Sequence, residues 1–527
     1  MAGPRRGVMG ERRRECMSDQ VLGNMMLWDG SAPRPSPVTI RVRNGRVVRV
    51  APAIAGPVDV DFGGAVVTPG LVDAHLHLML GGESCMRADL SAATGRADFE
   101  AVVAAAHEEL PPDRWLVASG WNETRWPDGG LPDATWLACA GERPVVCWRC
   151  DWHAALVSPS VMAMLDLSSP PPGGQVVRGP GGAPTGLFLE AAAWKLINPL
   201  VPAIPEDERA TALDAGMRHL LESGVTMART MEYRADVERH YLPRLGDLPV
   251  KLSVVQLDRD LPLDLDWMSD VPRSDRFHVR SCKAFLDGTL GSRTARLHEP
   301  YADDPAARGM WVELALAGRD QEWLDAVLDA GCSPVMHAIG DAAVARALEL
   351  QRRHPAMCTI EHAEVISRAE LDAMEGARLS VQPTHRAEDA AMARDRLGGR
   401  AEGLLPLRSM QRRGAILSFG TDWPISPVDP VRTLRAAITG EDIQGRPFHA
   451  DEALSPHDAF VAATIEAAAT CGYARPLSAG APCDLAVWDG DPFEDIHAAT
   501  VQATIVDGTL VAGSLPTPQP HQRGTAP

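Results

Sequence analysis

Short apolar runs rich in β-branched residues alternate with helical stretches through the middle of the chain. Such alternation is typical of parallel strands joined by crossover helices. Eight runs qualify as strands, which is the number in a (β/α)8 TIM-type barrel of the α/β class. The predicted strands cover residues 66–78, 225–230, 251–257, 279–286, 334–338, 359–363, 379–382 and 416–420.

Both ends of the chain read instead as β-hairpins. Residues 38–50 read VTIRVRNGRVVRV and residues 503–513 read ATIVDGTLVAG, so each run alternates apolar and polar positions around an Asn-Gly or Asp-Gly pair. These pairs favour the type I′ turns of two-residue hairpins. We therefore expect a small β-sandwich built from residues 17–65 and 475–515.

The stretch between the first two barrel strands is far too long for a single crossover. It has strand patterns of its own at 115–119 and 145–148. An inserted cap over residues 83–204 is therefore expected, and the barrel itself should comprise residues 66–82 and 205–474.

Composition is that of an ordinary globular protein, with 45% hydrophobic and 23% charged residues among 527. The net charge of −19 argues against nucleic acid or an anionic membrane as partner. The ten cysteines are scattered without a framework, which favours a reducing, cytoplasmic location. Residues 1–16 carry five arginines without the apolar core of a signal peptide, so disordered tails are expected over 1–16 and 516–527, with Met17 as an alternative start.

The segment VVTPGLVDAHLHL, over residues 66–78, carries the first candidate chemistry. Side chains alternate along a strand, so His75 and His77 face the same side and could hold one metal ion. Two histidines at this spacing also occur without a metal, so the rest of the chain decides between the two interpretations.

Polar residues also follow or end the later strands, at the barrel rim where chemistry takes place in this fold. They are Lys283 in CKAFLDG, His337 in VMHAIGD, His362 in TIEHAE and Asp422 in SFGTDWP. A lone strand-end histidine is more often a hydrogen-bonded core residue, and an aspartate often caps the next helix. Here Asp429, followed by proline, can open that helix instead, and the joint occurrence on one rim favours a site.

Nitrogen and oxygen donors without cysteine favour Zn²⁺ over Mn²⁺ or Fe²⁺. We expect His75 and His77 to hold one ion, and His337 and His362 to hold a second. Only three of the 51 basic residues are lysines, so Lys283 is expected to do what arginine cannot. A neutral lysine amine can take up CO₂ and become a carbamate that bridges two ions.

In chain order, the strings VVTPGLVDAHLHL, KAFLDGTLGSRTA, MHAIGD, IEHAE and GTDWPI resemble motifs of the amidohydrolase superfamily. More narrowly, they are similar to amidohydrolase family 3, which includes N-substituted formamide deformylases. The cap strings GWNETRWPDGGLP, CDWHAALV and GAPTGLFLE extend a resemblance that runs from Val21 to Ala512. It implies a binuclear site whose metal ligands are His75, His77, Lys283, His337, His362 and Asp422.

Three positions depart from that pattern. Thr359 stands where arginine is common, Thr230 where aspartate is common, and Ser158 where asparagine is common. None of them is an expected ligand. D-aminoacylase-like relatives bridge their ions with a cysteine, but Cys282 should face away from the side that Lys283 faces, so that subgroup fits less well.

The resemblance implies hydrolysis of an amide-type, non-peptide carbon–nitrogen bond by a metal-activated hydroxide. Asp422 is expected to take up the proton and return it to the leaving nitrogen. His153 from the cap is expected to reach over the substrate, with Trp121 and Asp287 as further contacts. An aromatic pocket would draw on Trp121, Trp126, Trp152 and Trp423.

The expected partner is a small molecule, an N-acyl or N-formyl amine, and the chain is compatible with a homodimer. The same metal site could also cleave an ester, a lactone or a phosphoester. A scaffold that has lost catalysis is a more remote alternative, because all six ligand positions are filled.

Overall fold

The computed structural model describes residues 19–54, 56–127, 130–258 and 260–516. The predicted tail over 1–16 lies outside these ranges, as does the C-terminal tail after its first residue. Within the described ranges, no helix has both the length and the apolar character needed to cross a bilayer.

The strands are β1 (Asp19–Leu27), β2 (Ser36–Arg43), β3 (Arg46–Pro52), β4 (Val60–Asp61), β5 (Val66–Pro69), β6 (Leu71–Leu76), β7 (Ala88–Asp89), β8 (Leu116–Trp121), β9 (Val145–Arg149), β10 (Ala154–Val157), β11 (Gly174–Arg178), β12 (Pro184–Glu190), β13 (Val225–Glu232), β14 (Lys251–Leu257), β15 (Phe277–Phe285), β16 (Ser333–Ala338), β17 (Thr359–His362), β18 (Arg378–Val381), β19 (Ile416–Phe419), β20 (Leu485–Asp489), β21 (Thr500–Val506) and β22 (Thr509–Gly513). The α-helices are α1 (Leu78–Ser84), α2 (Arg96–Glu109), α3 (Pro159–Met162), α4 (Glu206–Glu222), α5 (Arg234–Asp236), α6 (Trp267–Asp270), α7 (Glu313–Leu316), α8 (Asp320–Asp329), α9 (Asp341–Gln351), α10 (Arg368–Asp372), α11 (Pro383–Leu397), α12 (Leu407–Arg412), α13 (Pro430–Thr439), α14 (Pro456–Ala463) and α15 (Ile465–Thr470). Short 3₁₀ or π turns cover Glu123–Arg125, Ala134–Ala140, Ala193–Ile197, Asn198–Leu200, Val237–Tyr241, Leu242–Arg244, Gly398–Gly403 and Ala450–Glu452.

Eight parallel strands form the central barrel, in the spatial order β6, β13, β14, β15, β16, β17, β18 and β19. This confirms the predicted α/β, TIM-type barrel. Seven of the eight predicted strands begin and end within two residues of the observed ones. Buried apolar runs bounded by polar residues locate these strands well, because both faces of a barrel strand are covered.

The first barrel strand was predicted wrongly as one run over residues 66–78. The chain bends at Pro69-Gly70, so β5 pairs with β1 and β20 while β6 pairs with β13 in the barrel. Gly70 is required there, since a Cβ atom would lie 2.2 Å from the hydroxyl oxygen of Thr226. The strand therefore serves two sheets, and only its second part reaches the rim.

The barrel closes between β19 and β6 through hydrogen bonds of side chains and a few isolated backbone hydrogen bonds. The Thr421 amide and hydroxyl both donate to the buried Asp73 carboxylate, at 3.0 and 2.6 Å. The Asp422 amide donates to the carbonyl of His75 at 2.7 Å. Gly420 allows this approach, because a Cβ atom there would lie 2.5 Å from the His75 amide nitrogen. The closure thus brings the ends of the first and last barrel strands together.

Strands from both ends of the chain form a second sheet, in the order β22, β21, β20, β5, β1, β2 and β3, with β4 beside β1. Its apolar core combines Leu22 and Ile40 from one end with Leu485 and Ile505 from the other. Within the described residues, these strands form one continuous hydrogen-bonded sheet.

The insertion between β6 and β13 contains a third sheet, in the order β11, β12, β10, β9, β8 and β7. The strands predicted at 115–119 and 145–148 correspond to β8 and β9. Two apolar clusters flank this sheet, one around Trp121 and Leu156 and the other around Trp148 and Phe188.

Candidate metal centre

Three of the expected ligands meet where the barrel closes. His75 lies in β6, His77 directly follows that strand, and Asp422 follows β19. Oδ1 of Asp422 lies 3.2 Å from Nε2 of His75 and 3.4 Å from Nε2 of His77. One ligand atom from each of the three lies within 4.8 Å of the others. Asp422 has a positive φ of 59°, a strained conformation of the kind that collects at functional sites.

Lys283 is brought to the same place by β15. Its side chain is buried, and Nζ lies 3.1 Å from Nε2 of His75. Nζ also lies 4.8 Å from the centre of the Phe285 ring. The amine is thus next to the two-histidine motif, as the sequence predicts.

His337 and His362 end β16 and β17, and their ring centres are 4.5 Å apart. Nε2 of His337 donates to the carbonyl of Gly288 at 3.2 Å, and Nδ1 of His362 donates to the Gln382 side chain at 2.9 Å. These partners assign the ring protons, which leaves Nδ1 of His337 and Nε2 of His362 as lone-pair donors.

Two atoms of this group are buried with no partner of hydrogen-bond geometry in the described part of the chain. They are Nδ1 of His337 and Oδ1 of Asp422. Buried polar atoms in folded proteins are rarely left unsatisfied. A cation bound by histidine nitrogens and a carboxylate would satisfy both atoms, so the residues fit a metal ion.

Metal binding requires neutral imidazoles and an ionised carboxylate, and the surroundings of three of the four rim histidines and of Asp422 favour those forms. The pKa of His75 is instead raised, because burial and Lys283 lower it less than the carboxylates of Glu361 and Asp422 raise it. Burial lowers the pKa of His77 to about 4 and takes the pKa values of His337 and His362 well below their usual range. Burial alone would raise the pKa of Asp422, but the contacts with His75 and His77 hold it well below its ordinary value.

Glu361, in β17, positions the first ligand, His75, although β17 and β6 are not neighbours in the barrel. Its carboxylate accepts a hydrogen bond from Nδ1 of His75, and its other oxygen lies 3.1 Å from the Arg229 guanidinium. Glu361 is completely buried, and Arg229 is only 1% exposed. The bond fixes the His75 ring with Nε2 toward Lys283 and Asp422.

The cap supplies one histidine to the site. Nδ1 of His153 donates to Glu190 at 2.8 Å, and the His153 ring stacks on that of His337 with centres 5.5 Å apart. The adjacent cap residue Asp151 accepts hydrogen bonds from Thr289 at 2.8 Å and from a nearby serine. These bonds attach the inserted region to the loop that follows β15, and they place His153 beside the candidate ligand His337.

A cavity of about 350 Å³ opens over this group. The expected residues His77, His153, Lys283, His337, His362 and Asp422 line it. Its cap side carries the rings of Trp148, Trp152 and Trp194. Of the four tryptophans expected at an aromatic pocket, only Trp152 is among these.

Two expected substrate contacts are corrected. Trp121 is completely buried in the cap core, where its indole donates to the carbonyl of Cys147 at 3.0 Å. Asp287 is also completely buried, and its carboxylate accepts from the amides of Ile339 and Gly340 at 3.0 and 2.8 Å. Neither lines the cavity, because each is used to hold the structure together.

Trp126 packs with Trp121 in the cap core. Trp423 packs beneath the rim against His219 and Gly81. Burial in these apolar contacts, 6% and 5% exposed respectively, removes both from the substrate side.

Sequence reasoning missed a second layer of side chains. Glu361, Gln382 and Glu190 orient histidines of the site, and His385 lines the cavity beside Glu364. His385 could have been found, because it follows the strand pattern at 379–382 as the other rim residues follow theirs. Glu361 and Glu190 lie in strings that resemble the family, but a single sequence does not show which histidines they and Gln382 orient.

The chain is similar to known proteins over most of its length. A sequence model of the amidohydrolase family matches residues 60–513. Protein LONG AFTER FAR-RED 3 of Arabidopsis thaliana is 29% identical over 548 residues, covering 93% of this chain and 91% of the relative. N-substituted formamide deformylase of Arthrobacter pascens is 24% identical over 500 residues, covering 85% and 89%.

A crystal structure of an uncharacterized metal-dependent hydrolase from Pyrococcus horikoshii OT3 superposes with a TM-score of 0.71 at 25% identity. The match covers 90% of this chain and 98% of that one. With a family model that spans most of the sequence, the chain belongs to the amidohydrolase family, in its family 3 branch.

Proposed function

We propose that this chain is a metal-dependent hydrolase that cleaves an amide-type, non-peptide carbon–nitrogen bond of a small molecule. The observation that carries the proposal is the convergence of His75, His77 and Asp422 at the barrel rim, with Lys283 at 3.1 Å from His75. Family membership and the likeness to a metal-dependent hydrolase structure support the same conclusion.

The residues fit two divalent ions, with Zn²⁺ favoured by the donor set. His75 and His77 would hold one ion, and His337 and His362 the other. Lys283, carried as a carbamate formed with CO₂, would bridge them. When bound, such ions lower the pKa of water toward about 7 and polarise the scissile carbonyl.

In this proposal, Asp422 is the residue that accepts the proton and later donates it. Its lowered pKa keeps the carboxylate ionised at neutral pH, so it can accept a proton from the attacking water. The same oxygen can then deliver that proton to the leaving nitrogen. Oδ1 of Asp422 lies within 3.4 Å of Nε2 of both His75 and His77, which supports this role.

His153 contributes from the cap. Glu190 fixes its Nδ1, so the opposite nitrogen, Nε2, is the one available to a substrate. The stacking of His153 on His337 keeps that nitrogen beside the reacting centre. We assign His153 to substrate binding on this geometry.

The substrate proposed is an N-acyl or N-formyl amine. The similarity to the Arthrobacter pascens deformylase supports this class. A cavity of about 350 Å³ suits a small molecule, and Trp152 and Trp194 give an apolar wall for the amine substituent.

Paired substrates test the bond that is cut. N-formyl and N-acetyl benzylamines are compared with the benzyl formate and acetate esters, which differ only at the leaving atom. We expect the wild type to hydrolyse the amides, with a kcat/KM at least about 10²-fold above that of the Asp422→Asn variant on the same amides. Turnover confined to the esters would contradict the amide assignment.

A further inference from the structure

A second cavity, with a volume of about 530 Å³, lies at the opposite end of the barrel from the candidate metal centre. It is bounded by residues at the starts of β6, β13, β14 and β15 and by the loop over 472–482 that precedes β20. The candidate metal ligands lie at the other ends of the barrel strands, and no residue lines both cavities. This floor cavity is therefore separate from the proposed hydrolytic site.

His278, the second residue of β15, lines the floor cavity with both ring nitrogens unsatisfied. The residue is 5% exposed, and neither Nδ1 nor Nε2 makes a hydrogen bond within the described ranges. Tyr473 packs on this ring with centres 4.9 Å apart, but its hydroxyl donates to the carbonyl of Leu252 at 2.9 Å. Buried polar atoms rarely stay without a partner, so we expect a group that enters the cavity to contact this ring.

Hydrogen-bond donors surround the space next to this ring. Burial and the charge of Arg273 lower the pKa of His278 to about 4, outweighing the nearby carbonyl of Cys471, so the ring is neutral at pH 7 and carries one N–H. Thr226 is 1% exposed and lines the same cavity, and its hydroxyl bonds to no other residue that the structure describes. Gly472 leaves the edge of the ring open, since even a Cβ atom there would lie 3.5 Å from Nε2. These donors favour a ligand that accepts hydrogen bonds.

Charge in the floor cavity is balanced except at one arginine. Nζ of Lys251 lies 2.5 Å from Asp484, and the Arg46 guanidinium pairs with Asp275. Arg273 is exposed, lines the cavity and forms no ion pair within the part of the chain that the structure describes. The charged side chains of the lining therefore leave a single positive charge uncompensated. A singly charged anion would balance it, and a guanidinium binds a carboxylate through two parallel hydrogen bonds.

We propose that the floor cavity binds a small organic monocarboxylate, whose carboxylate accepts hydrogen bonds from Arg273 and from the His278 ring. The buried apolar side chains of Val72 and Met227 line the same cavity and suit the hydrocarbon part of such a ligand. A phosphate dianion fits less well, because its second charge would lie near the Asp484 carboxylate without a further unpaired cation. Neither the metal ions nor the proposed reaction takes part in this binding.

Butyrate is the probe, titrated by calorimetry into the full-length, metal-loaded protein. Arg273→Gln removes the unpaired charge at an exposed position, and His278→Phe keeps an aromatic ring but removes both nitrogens. Arg352→Gln, at another exposed arginine, is the matched control. Butyrate bound at the metal centre contributes equally to all four proteins, since none of these residues lines that cavity. Metal content and thermal unfolding are measured for each protein.

The wild type and Arg352→Gln should bind butyrate equally well, and Arg273→Gln and His278→Phe should bind it at least about tenfold more weakly at the floor cavity. Wild-type affinity in either folded variant would overturn the proposal, as would the absence of saturable binding to the wild type. Inorganic phosphate should not displace the butyrate that Arg273→Gln fails to bind; displacement at an equal or lower concentration would overturn the carboxylate assignment. If His278→Phe does not fold, the comparison of Arg273→Gln with Arg352→Gln still decides.

Discussion

Nδ1 of His75 donates a hydrogen bond to Glu361, and both side chains are completely buried. The bond crosses from β6 to β17, and it fixes His75, whose Nε2 faces both Lys283 and Asp422. Orientation of a ligand by a carboxylate behind it is a common feature of metal sites. The barrel thus determines the orientation of the His75 ring as well as its position.

Glu361→Gln is expected to weaken metal binding by about 10–100-fold, because the ring loses the carboxylate that orients it. Competition with a chromophoric chelator measures the affinity. Glu349→Gln, on the exposed face of α9, is the control. Equal affinity in the two variants would show that Glu361 does not position His75.

Asp422→Asn should retain metal and lose kcat by about 10²–10⁴-fold, since the amide side chain cannot accept and return the proton. Steady-state kinetics with an N-formyl amine and metal analysis of the same preparation check this. Near-wild-type turnover would remove Asp422 from proton transfer.

Lys283→Ala should lose metal, because the bridging group is removed. Short carboxylates such as acetate or propionate should restore part of the metal content and activity by occupying the space of the carbamate. Lys195→Ala, at an exposed position, is the matched lysine control. Full metal occupancy without any need for rescue would argue against a bridging carbamate.

Lys251 has a structural role that is independent of the metal centre. Its Nζ is buried 2.5 Å from Asp484 and 3.3 Å from Asp507, joining the barrel to the second sheet. Lys251→Ala should lower the free energy of unfolding by about 3–5 kcal/mol, because it removes the cation that pairs with the buried Asp484 carboxylate. Chemical denaturation compares it with Lys195→Ala; a difference below about 1 kcal/mol would contradict this.

The sequence predicted the rim residues because a barrel strand leaves a simple pattern, a buried apolar run followed by a polar residue. His337, His362 and Asp422 all follow that pattern. The bend at Pro69-Gly70 was not predicted, since the apolar run continues through it while the hydrogen-bonding partners change.

The orienting residues could not be predicted, because their roles depend on contacts between distant strands. Glu361 is 286 positions from His75 in the chain. Trp121 lies within the string GWNETRWPDGGLP and was expected in the pocket, but its large apolar ring packs in the core of the inserted region. Only the packing of the cap decides between these two uses of a tryptophan.

If the proposed function is right, turnover of an N-formyl amine depends on bound metal. The purified protein is assayed as isolated, after removal of metal by a chelator, and after addition of Zn²⁺, with metal content measured at each stage. We expect two ions per chain, loss of turnover on chelation and its return with Zn²⁺. Turnover that persists in the metal-free protein would contradict the proposed function.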